Sequence, residues 1–420
     1  MSDYLPEKTV LDILHRLPIK TLVKCTSVCK AWNSLIKSPT FIYTHLDQTI
    51  SSDNDDDTHF FLLRLRQWHL AGPWFLLNQY FLGFEYEDEY GFDLLKELEF
   101  PLGQRCCNRF YFIVGCCNGL VCVTDNHNIH LAKNFILWNP IIRKAIVVPE
   151  YSSTLSATYG FVGFGFDSRN NDFKLLRFVQ RGHVKKKHRN VPVEVQVYSL
   201  NSNSWKNITH IASNYGLLPE YEPQYGHSFV NGAINFFASY DRNQKYSLYS
   251  NHMVLVLGFN LSEEIFYEIP LPEGLNHHPL CLTNPIPATL LKYGESSIAV
   301  LNADQDYIDL YIMEEYGIAS SWTKVSLNNL LNWVPEGRGQ VPRVLGFRKN
   351  GEILLEMDGD LLNRKGKYCL TSCEIESEEL TVFNIEDVGR NSFYDSFVES
   401  LVLLDKGGNG DHGAMLDFGF

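Results

Sequence analysis

Residues 115–122 read Gly115-Cys-Cys-Asn118-Gly119-Leu-Val-Cys122. Asn-Gly between two apolar runs is the strongest short signal for a β-hairpin, because both residues tolerate positive φ. Two other stretches repeat it: His227-Ser-Phe-Val-Asn231-Gly232-Ala-Ile-Asn-Phe236 and Leu345-Gly-Phe-Arg-Lys-Asn350-Gly351-Glu-Ile-Leu354. A second kind of hairpin alternates with these, a longer polar turn followed by an aromatic or aliphatic return strand. It occurs at 197–205, 258–266, 311–322 and 373–382, with a looser case at 137–147. The anchors Leu137, Tyr198, Phe259, Tyr311 and Cys373 lie 61, 61, 52 and 62 residues apart.

Two hairpins in each such interval make a four-stranded unit repeated about five times, close to the kelch period of roughly 50 residues. A strand at Phe397–Leu404 and strands near 58–66 would complete a further blade by pairing the chain ends. Closing a ring also removes exposed sheet edges. The expected class is α plus all-β, with N-terminal helices followed by a kelch-like β-propeller. A pair of antiparallel β-sandwiches is the alternative.

The first 45 residues differ in character. Val10, Ile13, Leu14 and Leu17 follow i, i+3, i+4, i+7 spacing on one helix face. Pro6 suits its first turn and Pro18 stops it. Leu22, Val23 and Cys25 begin a second helix. Val28, Trp32, Leu35 and Ile36 form a third stripe, ended by Pro39. Three short helices cannot bury all of this apolar surface among themselves, so the surplus points to an obligate partner. Six basic residues against three acidic give this piece +3, leaving −16 on the rest of a chain whose net charge is −13. That balance argues against a general phosphate-backbone binder and favours a basic partner.

The division expected is 1–45 helical, 46–110 an acidic linker and lead-in to the β domain, 111–405 the β domain, and 406–420 a tail. Residues 47–57 and 85–99 are the acidic stretches. Either can be a solvated loop. The functional alternative is an acidic lip facing a target, carried by Glu85, Glu87, Asp88 and Glu89. Lys185-Lys-Lys-His-Arg189 reads as an exposed hairpin loop or a nuclear address.

Little points to catalysis or a metal. Gly160-Phe-Val-Gly163-Phe-Gly165 sits among strand residues and does not match G-x-G-x-x-G. His277-His278, Asp304/Asp306/Asp309 and Asp358-Gly-Asp360 lack ligand spacing. Ten cysteines without a C-x-x-C read as reduced thiols. No cofactor is expected. Trp138, Trp205 and Trp322 read as packing between blades. Nothing resembles a signal peptide or a membrane span, so the expected compartment is the cytoplasm or nucleus.

Residues 5–41 resemble an F-box: Leu5-Pro6-Glu7…Val10…Asp12-Ile13-Leu14…Arg16-Leu17-Pro18-Ile-Lys20-Thr-Leu22-Val…Val28-Cys29-Lys30-Ala-Trp32…Leu35-Ile36…Pro39-Thr-Phe41. Cys25-Thr26 departs from the aromatic and basic pair common in that family. Leu137-Trp-Asn-Pro-Ile-Ile-Arg143, Gly163-Phe-Gly-Phe-Asp-Ser168, Val195-Gln-Val-Tyr-Ser-Leu200 and Phe229-Val-Asn-Gly-Ala233 resemble the plant type 1 F-box-associated domain. Pro101-Leu-Gly103 and Phe397–Leu404 are similar to the S-locus F-box and S-locus-F-box-like group within it.

The resemblance implies the substrate-recognition subunit of a Skp adaptor–cullin–F-box ubiquitin ligase. Leu5, Pro6, Ile13, Leu14, Leu17, Pro18, Leu22 and Val28 would form or support the adaptor face, with Trp32, Leu35 and Ile36 in the F-box core. The target would be a protein marked for degradation, a basic S-ribonuclease of gametophytic self-incompatibility if the narrower group holds. No nucleic acid or membrane partner is implied. Two rivals are a propeller binding module independent of the ligase and a propeller enzyme with a metal or acid pair in its channel.

Overall fold

The computed structural model describes residues 6–53, 58–68, 76–86, 92–100, 111–125, 134–153, 159–180, 193–212, 215–217, 227–240, 253–272, 275, 288–303, 307–330, 342–358, 368–383, 385, 389–406 and 415–417. The chain begins with α1 (Glu7–His15), α2 (Ile19–Cys25), α3 (Lys30–Ile36) and α4 (Pro39–Asp53). Pro6 and Pro18 precede α1 and α2 in extended conformation, and Cys29 Sγ accepts the Trp32 N–H at 3.4 Å to cap α3. A fourth helix replaces the expected stop at Pro39. Proline lacks only an N–H that the first turn leaves unpaired anyway, so Pro39 starts α4 instead. Phe41, Ile42, His45 and Leu46 then bury one face of it. The boundary expected at residue 45 therefore falls inside a helix, and residues 46–53 of the expected linker segment belong to α4.

Six blades follow. The strands β1 (Thr58–Trp68), β2 (Leu76–Tyr86) and β3 (Phe92–Leu98) come first. Blade 2 is β4 (Phe112–Cys117), β5 (Leu120–Thr124), β6 (Phe135–Asn139) and β7 (Lys144–Val147). Blade 3 is β8 (Tyr159–Asp167), β9 (Asp172–Gln180), β10 (Val193–Ser199) and β11 (Ser204–Asn207). In blade 4, β12 (Tyr215–Leu217) joins β13 (His227–Val230), β14 (Ala233–Tyr240), β15 (Met253–Asn260) and β16 (Ile265–Pro270). Blade 5 is β17 (Thr289–Tyr293), β18 (Ser297–Ala303), β19 (Ile308–Met313) and β20 (Trp322–Ser326). Blade 6 is β21 (Arg343–Phe347), β22 (Ile353–Asp358), β23 (Tyr368–Cys373) and β24 (Leu380–Val382). Last, β25 (Gly389–Ser396) pairs with β1 to complete blade 1, and β26 (Met415–Asp417) pairs with β7.

The inner strands β25, β4, β8, β13, β17 and β21 touch one another in that cyclic order, so the ring closes. The chain ends do complete a blade, but through a different segment from the one expected. Phe397–Leu404 is not a strand. The closing strand is the polar Gly389-Arg-Asn-Ser-Phe-Tyr-Asp-Ser396, of which Tyr394, Asp395 and Ser396 line the central cavity. Blade 1 accounts for the difference between five repeats and six.

Glycines in β8 permit close packing between blades. A Cβ at Gly163 would stand 2.4 Å from Ile234 Cγ2, and one at Gly165 would stand 2.3 Å from Phe229. The tryptophans bridge neighbouring blades, as expected. Trp138 of blade 2 meets Tyr80 and Phe100 of the first blade edge-on. Trp205 Nε1 donates to Pro149 O at 2.8 Å, and Trp322 Nε1 donates to Pro270 O at 3.0 Å.

The two faces of the ring differ in their connections. On one face lie short turns such as 118–119, 140–143, 168–171, 200–203, 231–232 and 261–264. The strands leave the other face for longer connections, including 99–111, 148–158, 181–192, 241–252, 271–288 and 327–342. The helices enter and β25 leaves on the short-turn face.

Glu85 clasps the closing blade to blade 6. Its Oε1 accepts from Arg348 Nε at 3.2 Å and from Tyr394 Oη at 3.0 Å, while Arg348 Nη1 meets Glu352 Oε2 at 2.6 Å. All three charges are buried. Replacing Glu85 by Ala leaves Arg348 with less compensation. Because Glu352 still holds the guanidinium, we expect a cost of about 3 kcal/mol, the low end for a broken buried pair. A guanidinium-chloride unfolding curve shifted by that amount checks it, and an unshifted midpoint would remove the clasp from the closing contacts.

Candidate interaction sites

The four helices share one core, made by Leu14, Ile19, Leu22, Ile36, Phe41, Ile42 and Leu46. Trp32 and Leu35 pack against it, half-buried, beside the fully buried Ile36. The i, i+3, i+4 stripe of α1 therefore divides. Leu14 turns inward with Leu22, whereas Ile13 is 46% and Val28 64% exposed. Pro6 and Pro18 are exposed and Leu17 is half-buried. Leu5 lies outside the described residues. Pro6, Ile13, Pro18 and Val28 are thus exposed, whereas Leu14 and Leu22 belong to the core. Lys8, Arg16, Lys20, Lys24 and Lys30 lie exposed on the same helices.

Two histidines tie α1 to α4. The His15 ring stacks on Phe41 at 4.3 Å and lies 6.4 Å from His45. His45 Nε2 lies 3.4 Å from the Leu17 carbonyl. Burial pulls both imidazoles below the ordinary histidine pKa. Asp12 opposes this at His15 and the Leu17 carbonyl opposes it at His45, while His15 lowers His45 further.

The helices stand on the short-turn face. Their core is continuous with Leu120, Ile142 and Leu200 at its turns and with Leu401–Leu404. Tyr43 stacks on Phe166 at 6.1 Å, and Ile50 reaches the central cavity.

That cavity has a volume of about 740 Å³ and is lined by the inner strands. Several of its charges are paired. Lys292 Nζ bonds Glu295 at 2.8 Å and Ser396 Oγ at 3.1 Å, and Arg348 meets Glu85. Burial raises the Asp395 carboxyl to about 6, against the pull of Lys292. Among the described residues no group of three or more His, Cys, Asp or Glu is placed to hold a metal ion. No helix among them is long and apolar enough to cross a membrane.

The acidic lip needs correction at Glu85. It is 4% exposed on β2 and holds Arg348, so it is a closing residue and not a target-facing one. A run of like charges does not show which member has an inward partner. Glu87, Asp88 and Glu89 lie outside the described residues, as do Lys185–Arg189, His277-His278, Asp304, Asp306 and Asp360. Sequence reasoning missed the role of 397–406, whose apolar spacing fits a strand equally well.

The sequence profile of the F-box associated beta propeller domain matches residues 101–403, and an F-box-like profile matches residues 2–49. The chain is 27% identical to F-box protein CPR1 of Arabidopsis thaliana, covering 96% of this chain and 90% of that protein. It is 28% identical to F-box protein At4g22390 of the same plant, covering 96% and 91%. F-box/kelch-repeat protein At3g23880, also from Arabidopsis thaliana, is 24% identical, covering 79% and 81%.

The histidine pair gives the helices a pH dependence of definite sign. The folded-state pKa values lie below the unfolded value of 6.5, so the folded helices resist protonation. Their packing is complete above pH 6.5 and weakens as pH falls through the lower folded values. Amide exchange in α1 and α4 should speed up between pH 7 and 5, after correction for intrinsic rates. His45→Leu should reduce that acceleration.

Proposed function

This chain belongs to the F-box associated beta propeller family, and on that premise we propose that it is the substrate receptor of a Skp adaptor–cullin–F-box ubiquitin ligase. The observation that carries this reading is the exposure of Ile13 on α1 and of Val28 in the turn between α2 and α3, in a helical unit whose other large apolar side chains among the described residues are buried or half-buried. Large aliphatics left exposed on a small helical unit mark a surface completed by a partner. The adaptor would cover Pro6, Ile13, Pro18 and Val28, with Leu5 and Leu17 at the margin.

The helices occupy the short-turn face, so the target would meet the opposite face, where the longer connections leave the strands. Such connections are where a rigid scaffold usually carries recognition. The receptor contributes proximity. Holding a target beside the ubiquitin-charged enzyme makes transfer effectively intramolecular, without a catalytic residue in this chain. The −16 balance beyond the helical piece favours encounter with a basic protein. A basic S-ribonuclease is the member of that class implied by the S-locus resemblance. The compartment proposed is the cytoplasm or nucleus.

Co-expression with a plant Skp-type adaptor tests the reading. Wild type should purify as a stoichiometric complex. I13D/V28D should lose at least 100-fold in affinity while keeping the wild-type circular dichroism, because two aliphatic anchors become buried charges. Folded wild-type protein that captures no adaptor would refute the receptor role and leave an independent propeller module.

A further inference from the structure

The chain does not end its work at the closing strand. From Ser396 it continues along the short-turn face as an ordered strap, residues 397–406, before the terminal strand β26. The strap lies in the seam between helices and ring. Leu401, Val402, Leu403 and Leu404 are all buried, in the same core as Leu14, Leu22, Phe41 and Leu46 on one side and Leu120, Phe135 and Ile142 on the other.

Polar contacts fix its path. Asn139 Nδ2 donates to Ser400 O and to Val402 O, both at 2.9 Å. Lys144 Nζ donates to Leu404 O at 3.3 Å and Lys406 O at 3.1 Å. Phe397 N donates to Phe60 O at 2.9 Å, joining the start of the strap to blade 1. The fit at the β4–β5 turn is close: a Cβ at Gly119 would stand 2.3 Å from Ser400 Oγ and 2.6 Å from Val398 O. Leu403 has φ 76°, which a branched residue adopts only when its surroundings enforce it. Four apolar side chains, four carbonyl contacts and one strained residue are more than a chain needs merely to leave a domain.

We propose that residues 397–406 are a positioning strap that sets the bearing of the F-box helices on the propeller, with Asn139 and Lys144 as its anchors. The functional consequence rests on the receptor reading above: the strap fixes the direction in which a bound target faces the ligase, and so which target lysines come within reach. The structural part does not depend on that reading. Tyr43 on Phe166 and Ile50 at the cavity join the helices to the ring directly. The strap adds a broad apolar attachment packed in the same core as both.

The test measures the bearing directly in the full chain. Spin labels on non-canonical residues at the exposed positions Lys8 and Glu376 report helix-to-blade distances by double electron–electron resonance. Wild type should show one narrow distribution. L401S/L404S should broaden it at least twofold while adaptor capture persists. If that pair of substitutions costs the cooperative thermal melt, K144M decides, because it removes two carbonyl contacts and leaves the apolar seam in place. It should broaden the distribution by a smaller, resolvable amount. Distributions as narrow as wild type in folded variants would overturn the strap. Failure of the receptor reading appears separately, as loss of adaptor capture by wild type with its distance distribution intact.

Discussion

The structure depends on one antiparallel ladder, in which β25 pairs with β1. Phe61 faces Ser396, Leu62 faces Asp395, and Leu63 faces Tyr394 across it. Without this pairing β1 would present an open edge, and the cavity wall would lack the inner strand of its first blade. The ladder also brings residues near 58 and 396 to the same face. The helices must therefore enter beside the point where the last inner strand leaves. A tight contact between helices and ring follows from closure, because both connecting segments are already there.

The hairpins were legible because their turns carry local chemistry. Asn118 and Gly119, like Asn231 and Gly232, take positive φ as a two-residue turn requires. The longer turns use a different device. Oδ1 of Asn139, Asp167 and Asn260 accepts the backbone N–H groups two and three residues ahead. The residue four ahead, Arg143, Asn171 or Glu264, then takes positive φ. This Asx geometry recurs in blades 2, 3 and 4. The closing strand has no such mark. It lines the central cavity, and its polar composition resembles a loop.

Helical periodicity places Ile13 and Leu14 on one stripe, yet one is exposed and the other fully buried. A stripe wider than the space beneath it must leave an edge outside, and the sequence alone does not show which edge. Glu85 shows the same limit for charge. Its partner Arg348 is 263 residues away, and a neighbourhood rich in acid reads as solvated until the ring is closed. Phe397–Leu404 shows it for hydrophobicity. Six apolar residues in eight fit a buried strand and a seam between two domains equally well.

A tether can act through reach or through direction. A flexible tether confers an effective concentration that falls as its length exceeds the span, and many target sites share it. A stiff one gives a high value to sites along its bearing and almost none elsewhere. If the chain is the receptor proposed, the buried strap, the Tyr43–Phe166 stack and the Ile50 contact at the cavity favour the second class. For a stiff receptor, target affinity and transfer rate become separable. On the proposed receptor reading, substitutions on the long-connection face would change what is held, whereas substitutions in the seam would change where it is held. The second kind would leave binding intact and redistribute modification among lysines, because the entropy saved by fixing orientation applies only to groups already aligned.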